Sequence, residues 1–274
     1  MKIFPPHLSL AERAWFFILR GLNSLTLVFL VLPILVIIPL SFSDSSFLTY
    51  PMPGLSLRWY QNLLESDEWT RAARNSFIVA PLATVVATVL GTLAAVGLNK
   101  ADFPAKGLVM AVLISPMVVP VVVVGVGVYF FFAQIGLSET YAGLILAHAA
   151  LGAPFVVTTV SATLQGFNHN LVRASLSLGA SPLRTFFRIT LPVIAPGLIS
   201  GALFAFATSF DEVVITLFLA GPTQSTLPRQ MFAGIREDIS PTIAALATIL
   251  IVFSTCLLLV LEWLRGRNKA AAKL

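Results

Sequence analysis

The run LVMAVLISPMVVPVVVVGVGVYFFF (residues 108–132) carries no charged side chain. A helix rising 1.5 Å per residue needs about 20 such residues to cross a hydrocarbon layer roughly 30 Å thick. Five other stretches meet the same requirement: residues 22–42, 77–98, 141–163, 197–220 and 242–264. Each is continuous, whereas the strands of a membrane barrel alternate in pieces of about ten residues. The reading is an all-α integral membrane protein, a single transmembrane domain over residues 1–274 with six transmembrane helices. Pro33, Pro39, Pro81, Pro116, Pro120 and Pro154 fall within or near the ends of these runs. Neighbouring helices can satisfy the carbonyls that proline frees, so kinked spans are expected.

Composition agrees. Of 274 residues, 57% are hydrophobic and 11% charged, with a mean hydropathy of +0.92. A soluble domain carries about 25% charged residues, so this chain cannot cover a soluble surface. A net charge of +5 and a pI near 9.7 suit charge sorting at a membrane better than nucleic-acid binding. The single cysteine, Cys256, excludes an internal disulfide framework and a Cys-rich metal site.

The first run follows Lys2, Arg13 and Arg20, and Ser41-Phe42-Ser43 has a small-x-small pattern. Its apolar stretch is nevertheless longer than a signal-peptide core of 7–15 residues, so a retained first span is expected. With the N-terminus inside, twelve Lys and Arg fall on the cytoplasmic side, including Lys100, Lys106, Arg173, Arg184 and Arg188. Five fall outside: Arg58, Arg71, Arg74, Arg229 and Arg236. The positive-inside rule then places both termini in the cytoplasm.

No catalytic or nucleotide site is visible. A phosphate-cradling loop needs a Gly-Lys pair, and none occurs; nor does G-x-S-x-G or H-E-x-x-H. His7, His148 and His169 are far apart. His148 lies mid-span, where an imidazole is expected to find an interhelical hydrogen bond. Any work done here draws its energy from a partner.

The cytoplasmic segment of residues 164–195 is too long for a structureless loop and reads as two short helices. Asn168 or Asn170 can cap the first, which ends at Gly179. Ser181 caps a second with Pro182 at its first position, running to Pro192. One reading of this hairpin lays it on anionic lipid through Arg173, Arg184 and Arg188.

Within it, Arg173-Ala174-Ser175, three residues, Gly179, nine residues, Ile189-Thr190-Leu191-Pro192 resembles the cytoplasmic "EAA" motif of ABC-importer membrane subunits, with matching spacing throughout. The resemblance implies a coupling helix between spans four and five, docking in a cleft of an ATP-binding subunit. Ser175 replaces the second Ala of that pattern, and Arg173 replaces its Glu with the opposite charge.

The following helix holds a second constellation. At 100° per residue Gly197, Gly201, Ala205 and Ser209 share one face, a small-residue stripe that lets helices approach closely in lipid. On a continuous helix Glu212 and Thr216 fall inside that stripe and Asp211 on its edge. Two acids in a span cost ~2.5–3.5 kcal/mol each at mid-membrane. Either the span ends near Phe210 with the acids in a wet outer mouth, or they line a path for a cationic solute. Ser209-Phe210-Asp211-Glu212-Val213-Val214-Ile215-Thr216 resembles the fifth-helix segment of polyamine-type (spermidine/putrescine) permeases. Thr226-Leu227-Pro228, Met231-Phe232 and residues 235–241 resemble the outer loop of that group, and Leu57-Arg58-Trp59-Tyr60 and Asn75-Ser76 its early segments. Trp59, Tyr60 and Trp69 read as interfacial belt residues or as part of a docking surface for a binding protein.

The expectation is thus a non-enzymatic permease subunit in a bacterial inner membrane, moving a cationic solute by alternating access. The resemblance implies a second permease, ATP-binding subunits holding ATP and Mg²⁺, and a soluble binding protein; no cofactor is expected in this chain. The cargo implied is a polyamine, with another small solute, such as an amino acid or opine, as the alternative. A membrane scaffold or a lipid-modifying enzyme is the alternative outside transport.

Overall fold

A computed structural model of the chain describes residues 9–100, 102–237 and 240–271. Lys2, His7, Asp238, Ile239 and Lys273 lie outside the described residues. The elements are α1 (Leu10–Leu40), α2 (Arg58–Glu65), α3 (Asp67–Lys100), α4 (Lys106–Val118), α5 (Val121–Gln134), α6 (Tyr141–Gln165), α7 (Asn170–Ser177) and α8 (Pro182–Thr185). A π-helical turn (Phe186–Thr190) then leads into α9 (Leu191–Phe210), α10 (Val214–Leu219), α11 (Leu227–Glu237) and α12 (Pro241–Ala271). The described residues form no strand, only an isolated bridge between Ser43 and Leu55.

The chain divides into two compact units, residues 1–66 with 234–274, and residues 67–233. In the first, Ser9 opens α1 with a capping box: its hydroxyl accepts from the Glu12 N–H at 3.3 Å and Glu12 Oε2 accepts from the Ser9 N–H at 2.7 Å. The Ser9 N–H and hydroxyl, both donating to the Glu12 carboxylate, hold it below its usual range. At the other end Ser41 donates to the Ile38 carbonyl, leaving its oxygen to accept from the Tyr60 hydroxyl at 2.7 Å. Trp59 Nε1 donates to the Ser43 carbonyl at 2.8 Å. The two aromatics read as belt residues therefore also staple α2 to the chain leaving α1.

In the second unit α3, α6 and α9 pack on one another around Ala83, Ala87, Ala95, Val156, Val160, Ile194 and Ala205. Small side chains make this possible. A β-carbon on Gly91 of α3 would stand 2.7 Å from Val156 Cβ, and one on Gly152 of α6 would stand 3.0 Å from Ala205 Cβ. A second cluster joins α3, α5, α6 and α10 through Val79, Phe132, Leu144, Ala147, Ile215 and Leu219.

Among the described residues four helical runs are long and apolar enough to span a bilayer: residues 14–40, 67–100, 141–165 and 182–210. The run at 108–132 differs from the single kinked helix the sequence suggests. It forms two helices, α4 and α5, bent by 107°. Pro120 is the reason. The residue before a proline is driven from the helical region, and Val119 adopts ψ 134°. Pro120, with no N–H, then opens α5 by accepting from Val123 and Val124. Pro81, Pro116, Pro154 and Pro196 sit within helices.

Candidate functional sites at the two ends of one helical run

Residues 182–210 run without a loop from α8 through the π turn into α9. Pro192 therefore does not end a separate second helix, as its position suggests. The π turn, in which the Leu191 N–H donates to the Phe186 carbonyl five residues back, carries the run up to Pro192 and takes up the register change.

At the near end stands the predicted coupling hairpin. Gly179 closes α7 in a Schellman motif: it adopts φ +81°, its N–H donates to the Leu176 carbonyl at 2.9 Å, and the Ala180 N–H donates to the Ser175 carbonyl at 3.1 Å. No atom lies within 4 Å of where a Gly179 β-carbon would sit, so the glycine answers a backbone requirement rather than a tight contact. Ser181 caps α8, its hydroxyl accepting from the Arg184 N–H at 3.3 Å, with Pro182 following as expected. Asn168 Oδ1 accepts from the Asn170 N–H at 3.0 Å at the start of α7.

Arg173 and Ala174 are exposed on α7. Ser175 turns inward, sharing a 2.9 Å hydrogen bond with the buried Thr185 hydroxyl of α8. The serine that replaces an alanine thus ties the two arms of the hairpin. Ile189 and Leu191 pack against the α3–α6–α9 core, while Pro192 is exposed. Leu178, Leu183 and Phe187 are exposed together with Arg184 and Arg188.

At the far end stand the acids. The small-residue stripe behaves as helical geometry demands: Gly197, Gly201, Ala205 and Ser209 are all buried. The helix itself does not continue to Ala220. It stops at Phe210, Asp211 forms its C-cap, and α10 begins after a break at Val213. Glu212 drives the new start. Its Oε1 accepts from the Ile215 N–H at 2.9 Å, satisfying a donor that the first turn of α10 would otherwise leave open. Asp211 is exposed and Glu212 half-buried. The pair is therefore divided, one carboxylate facing outward and the other engaged with backbone.

Ser209 and Thr216 are brought together by a residue on a third element. His148 of α6, 1% exposed, lies with Nδ1 2.9 Å from Ser209 Oγ and Nε2 3.1 Å from Thr216 Oγ1. The interhelical hydrogen bond expected of a mid-span histidine is present twice over. A further lock escaped the sequence reading. Buried Asn75 of α3 donates to the Thr223 and Ser225 carbonyls at 2.9 and 2.8 Å and accepts from Tyr141 Oη at 2.8 Å. Ser76 Oγ accepts from the Leu227 N–H at 2.8 Å. Arg229 reaches back to the Ala220 and Gly221 carbonyls. Together these fix the loop that follows α10. Among the described residues no group of His, Cys, Asp and Glu is arranged to hold a metal ion.

Residues 87–269 match the family described as "Binding-protein-dependent transport system inner membrane component". The chain is 31% identical over 253 residues to the spermidine/putrescine transport system permease protein PotC of Haemophilus influenzae, covering 92% of this chain and 98% of the relative. It is 35% identical over 230 residues to the putrescine transport system permease protein PotI of Escherichia coli, covering 81% and 82%. Among solved structures, a chain of a bacterial ABC transporter involved in the import of the acidic polysaccharide alginate superposes with a TM-score of 0.74 at 13% identity, over 96% of this chain and 99% of that one. A chain of a bacterial alginate ABC transporter in complex with an alginate pentasaccharide-bound periplasmic protein gives 0.68 at 17% identity, over 91% and 93%.

Proposed function

The chain belongs to the family of binding-protein-dependent transport-system inner-membrane components, and from that membership we propose that this ABC-importer permease carries polyamines across a bacterial inner membrane. The family sets aside the scaffold and lipid-modifying alternatives. Cargo is a separate matter, because the shared fold also serves a transporter of an acidic polysaccharide.

The observation that carries the polyamine reading is Asp211. Helix α9 has no charged residue of its own, yet an exposed acid stands at its C-terminus. The partial negative charge of a helix C-terminus disfavours a carboxylate there by a few tenths to about 1 kcal/mol, and Glu212 is an adjacent like charge. No hydrogen bond or ion pair among the described residues engages the Asp211 carboxylate. Such an acid does nothing for its own helix and presents its charge to a cationic solute. Glu212 supplies a second negative charge while its Oε1 caps α10. Ser209 and Thr216 support this end of the pathway from behind.

In this reading the six spans are the four long helices, the bent α4–α5 pair and α12, with both termini cytoplasmic. The hairpin at Arg173–Gly179 docks on an ATP-binding subunit that holds ATP and Mg²⁺. A second permease, the same chain or another, completes the pathway, and a soluble binding protein delivers the cargo. ATP drives the exchange of outward- and inward-facing states only through its differential affinity for them.

Uptake of labelled spermidine and putrescine by cells lacking other polyamine systems tests the proposal. Expression of the chain with its neighbouring transport genes restores uptake, and competition by excess unlabelled polyamine abolishes it. Restored uptake of an amino acid or opine with none of polyamine would overturn the cargo.

A further inference from the structure

His148 is the most deeply buried ionisable side chain placed beside the acid-bearing break, and transport chemistry leaves it without a task. Its surroundings are specific. Ser209 lies on α9 before the break and Thr216 on α10 after it, so one imidazole on α6 spans the interruption that carries Asp211 and Glu212.

The proton positions follow from the acceptors. Thr216 Oγ1 lies 3.3 Å from the Glu212 carbonyl oxygen, which can only accept. With the Thr216 proton assigned to that carbonyl, its oxygen accepts from an Nε2–H of His148. Nδ1 is then a lone pair, and the Ser209 hydroxyl donates to it. Every donor in the chain Ser209–His148–Thr216–Glu212 has one acceptor, and the chain ends on the backbone of an acid. Such a network is costly to break where water is excluded, because each orphaned group keeps its full desolvation penalty.

We infer that His148 is a positioning residue for the acidic pair: through Thr216 it fixes the turn at Asp211–Glu212 and so sets where their charge meets the solute. The inference rests on the reading of these acids as the cation-facing groups. Glycine and alanine contacts already bring α6 and α9 together along Gly197, Gly201 and Ala205, so holding the two helices in contact does not require the histidine. Helix α10 is likewise packed on α3, α5 and α6 through Ile215 and Leu219; what the histidine adds is a direct tie between α9 and α10 across the break.

The test uses the full importer in proteoliposomes with its loaded binding protein, scoring spermidine moved per ATP hydrolysed for each assembled complex. His148→Leu keeps bulk and removes both hydrogen bonds; spermidine moved per ATP falls roughly three- to tenfold, the range of one net hydrogen bond. Thr216→Val produces the same fall, and the double variant is no worse than either alone. Glutamine places an N–H near the position of Nε2 and asparagine near that of Nδ1. His148→Gln therefore restores transport per ATP, while His148→Asn does not. A purely structural role lowers the yield of complex and leaves the ratio of transport to hydrolysis unchanged in the complex that remains, which overturns the inference. So does equal rescue by Gln and Asn. The cargo reading fails separately, when Asp211→Asn and Glu212→Gln leave spermidine transport at wild-type levels.

Discussion

Gly201 of α9 meets Val156 of α6 so closely that a β-carbon on the glycine would stand 2.7 Å from the valine Cα and 2.5 Å from Thr159 Oγ1. One of those atoms is backbone and cannot swing aside. Gly201→Leu therefore forces the helices apart, and overpacking of this kind costs about 1–3 kcal/mol or more. Thermal unfolding of the purified chain in detergent checks this: the transition falls for Gly201→Leu and stays near wild type for Ile199→Leu, an exposed position on the same helix.

The acid pair separates charge from capping. Glu212→Gln retains an oxygen to accept from the Ile215 N–H, and Asp211 makes no such bond, so neither Glu212→Gln nor Asp211→Asn disturbs the fold. Each lowers polyamine uptake roughly tenfold or more, the worth of a charge-assisted hydrogen bond, with the quantity of membrane-inserted protein unchanged. Glu212→Ala removes the cap as well and lowers both.

How far this end of the chain could be read from sequence turns on the periodicity of its residues. Gly197, Gly201, Ala205 and Ser209 recur every four residues, and helical geometry places them on one buried face, as found. The break after Phe210 is one of the two readings the sequence offers, and only the acids at 211 and 212 point to it. No proline or glycine marks it, and Val213 to Leu219 are as apolar as the helix before them. A glutamate side chain turning back to cap a new helix makes the interruption, and that choice depends on tertiary surroundings. Pro120 was visible, but a kink and a 107° turn look alike in sequence. The Asn75 lock was hidden for another reason. Its partners are backbone carbonyls of Thr223 and Ser225, far along the chain, and any residue type can supply those.

Asn75→Leu follows from that lock. The substitution removes three hydrogen bonds, each worth about 0.5–1.5 kcal/mol net, and leaves the Tyr141 hydroxyl only its 3.4 Å contact with the Thr223 carbonyl. Hydrogen exchange in residues 220–227 rises sharply, while residues in α9 keep their protection. Equal protection in both segments would contradict the assigned role.

At the hairpin, the φ of Gly179 orders the outcomes of substitution. A side chain in the left-handed region costs roughly 1–2 kcal/mol, with asparagine the best tolerated. Copurification of the ATP-binding subunit declines in the order Gly, Asn, Ala, Val. Since nothing crowds this position, the order reflects backbone conformation, and Ala and Val differ from Asn more than from each other.

Ser175→Ala restores the small residue that the resemblance leads one to expect, yet it leaves the Thr185 hydroxyl buried without its partner. The variant retains docking on the ATP-binding subunit and loosens the hairpin by about 1 kcal/mol. Faster proteolytic cleavage near Gly179, with copurification intact, is the expected pair of results.

Residues 182–210 form one unbroken helical rod, roughly 40 Å long at 1.5 Å per residue. It has the arginine-rich hairpin at one end and the paired acids at the other. A push on Ser181 meets no flexible joint before Asp211, except the π turn at Phe186–Thr190. In the proposed importer that turn would be the clutch: stiff, it would convert an ATPase stroke into displacement of the acids, and slack, it would let the stroke go to waste.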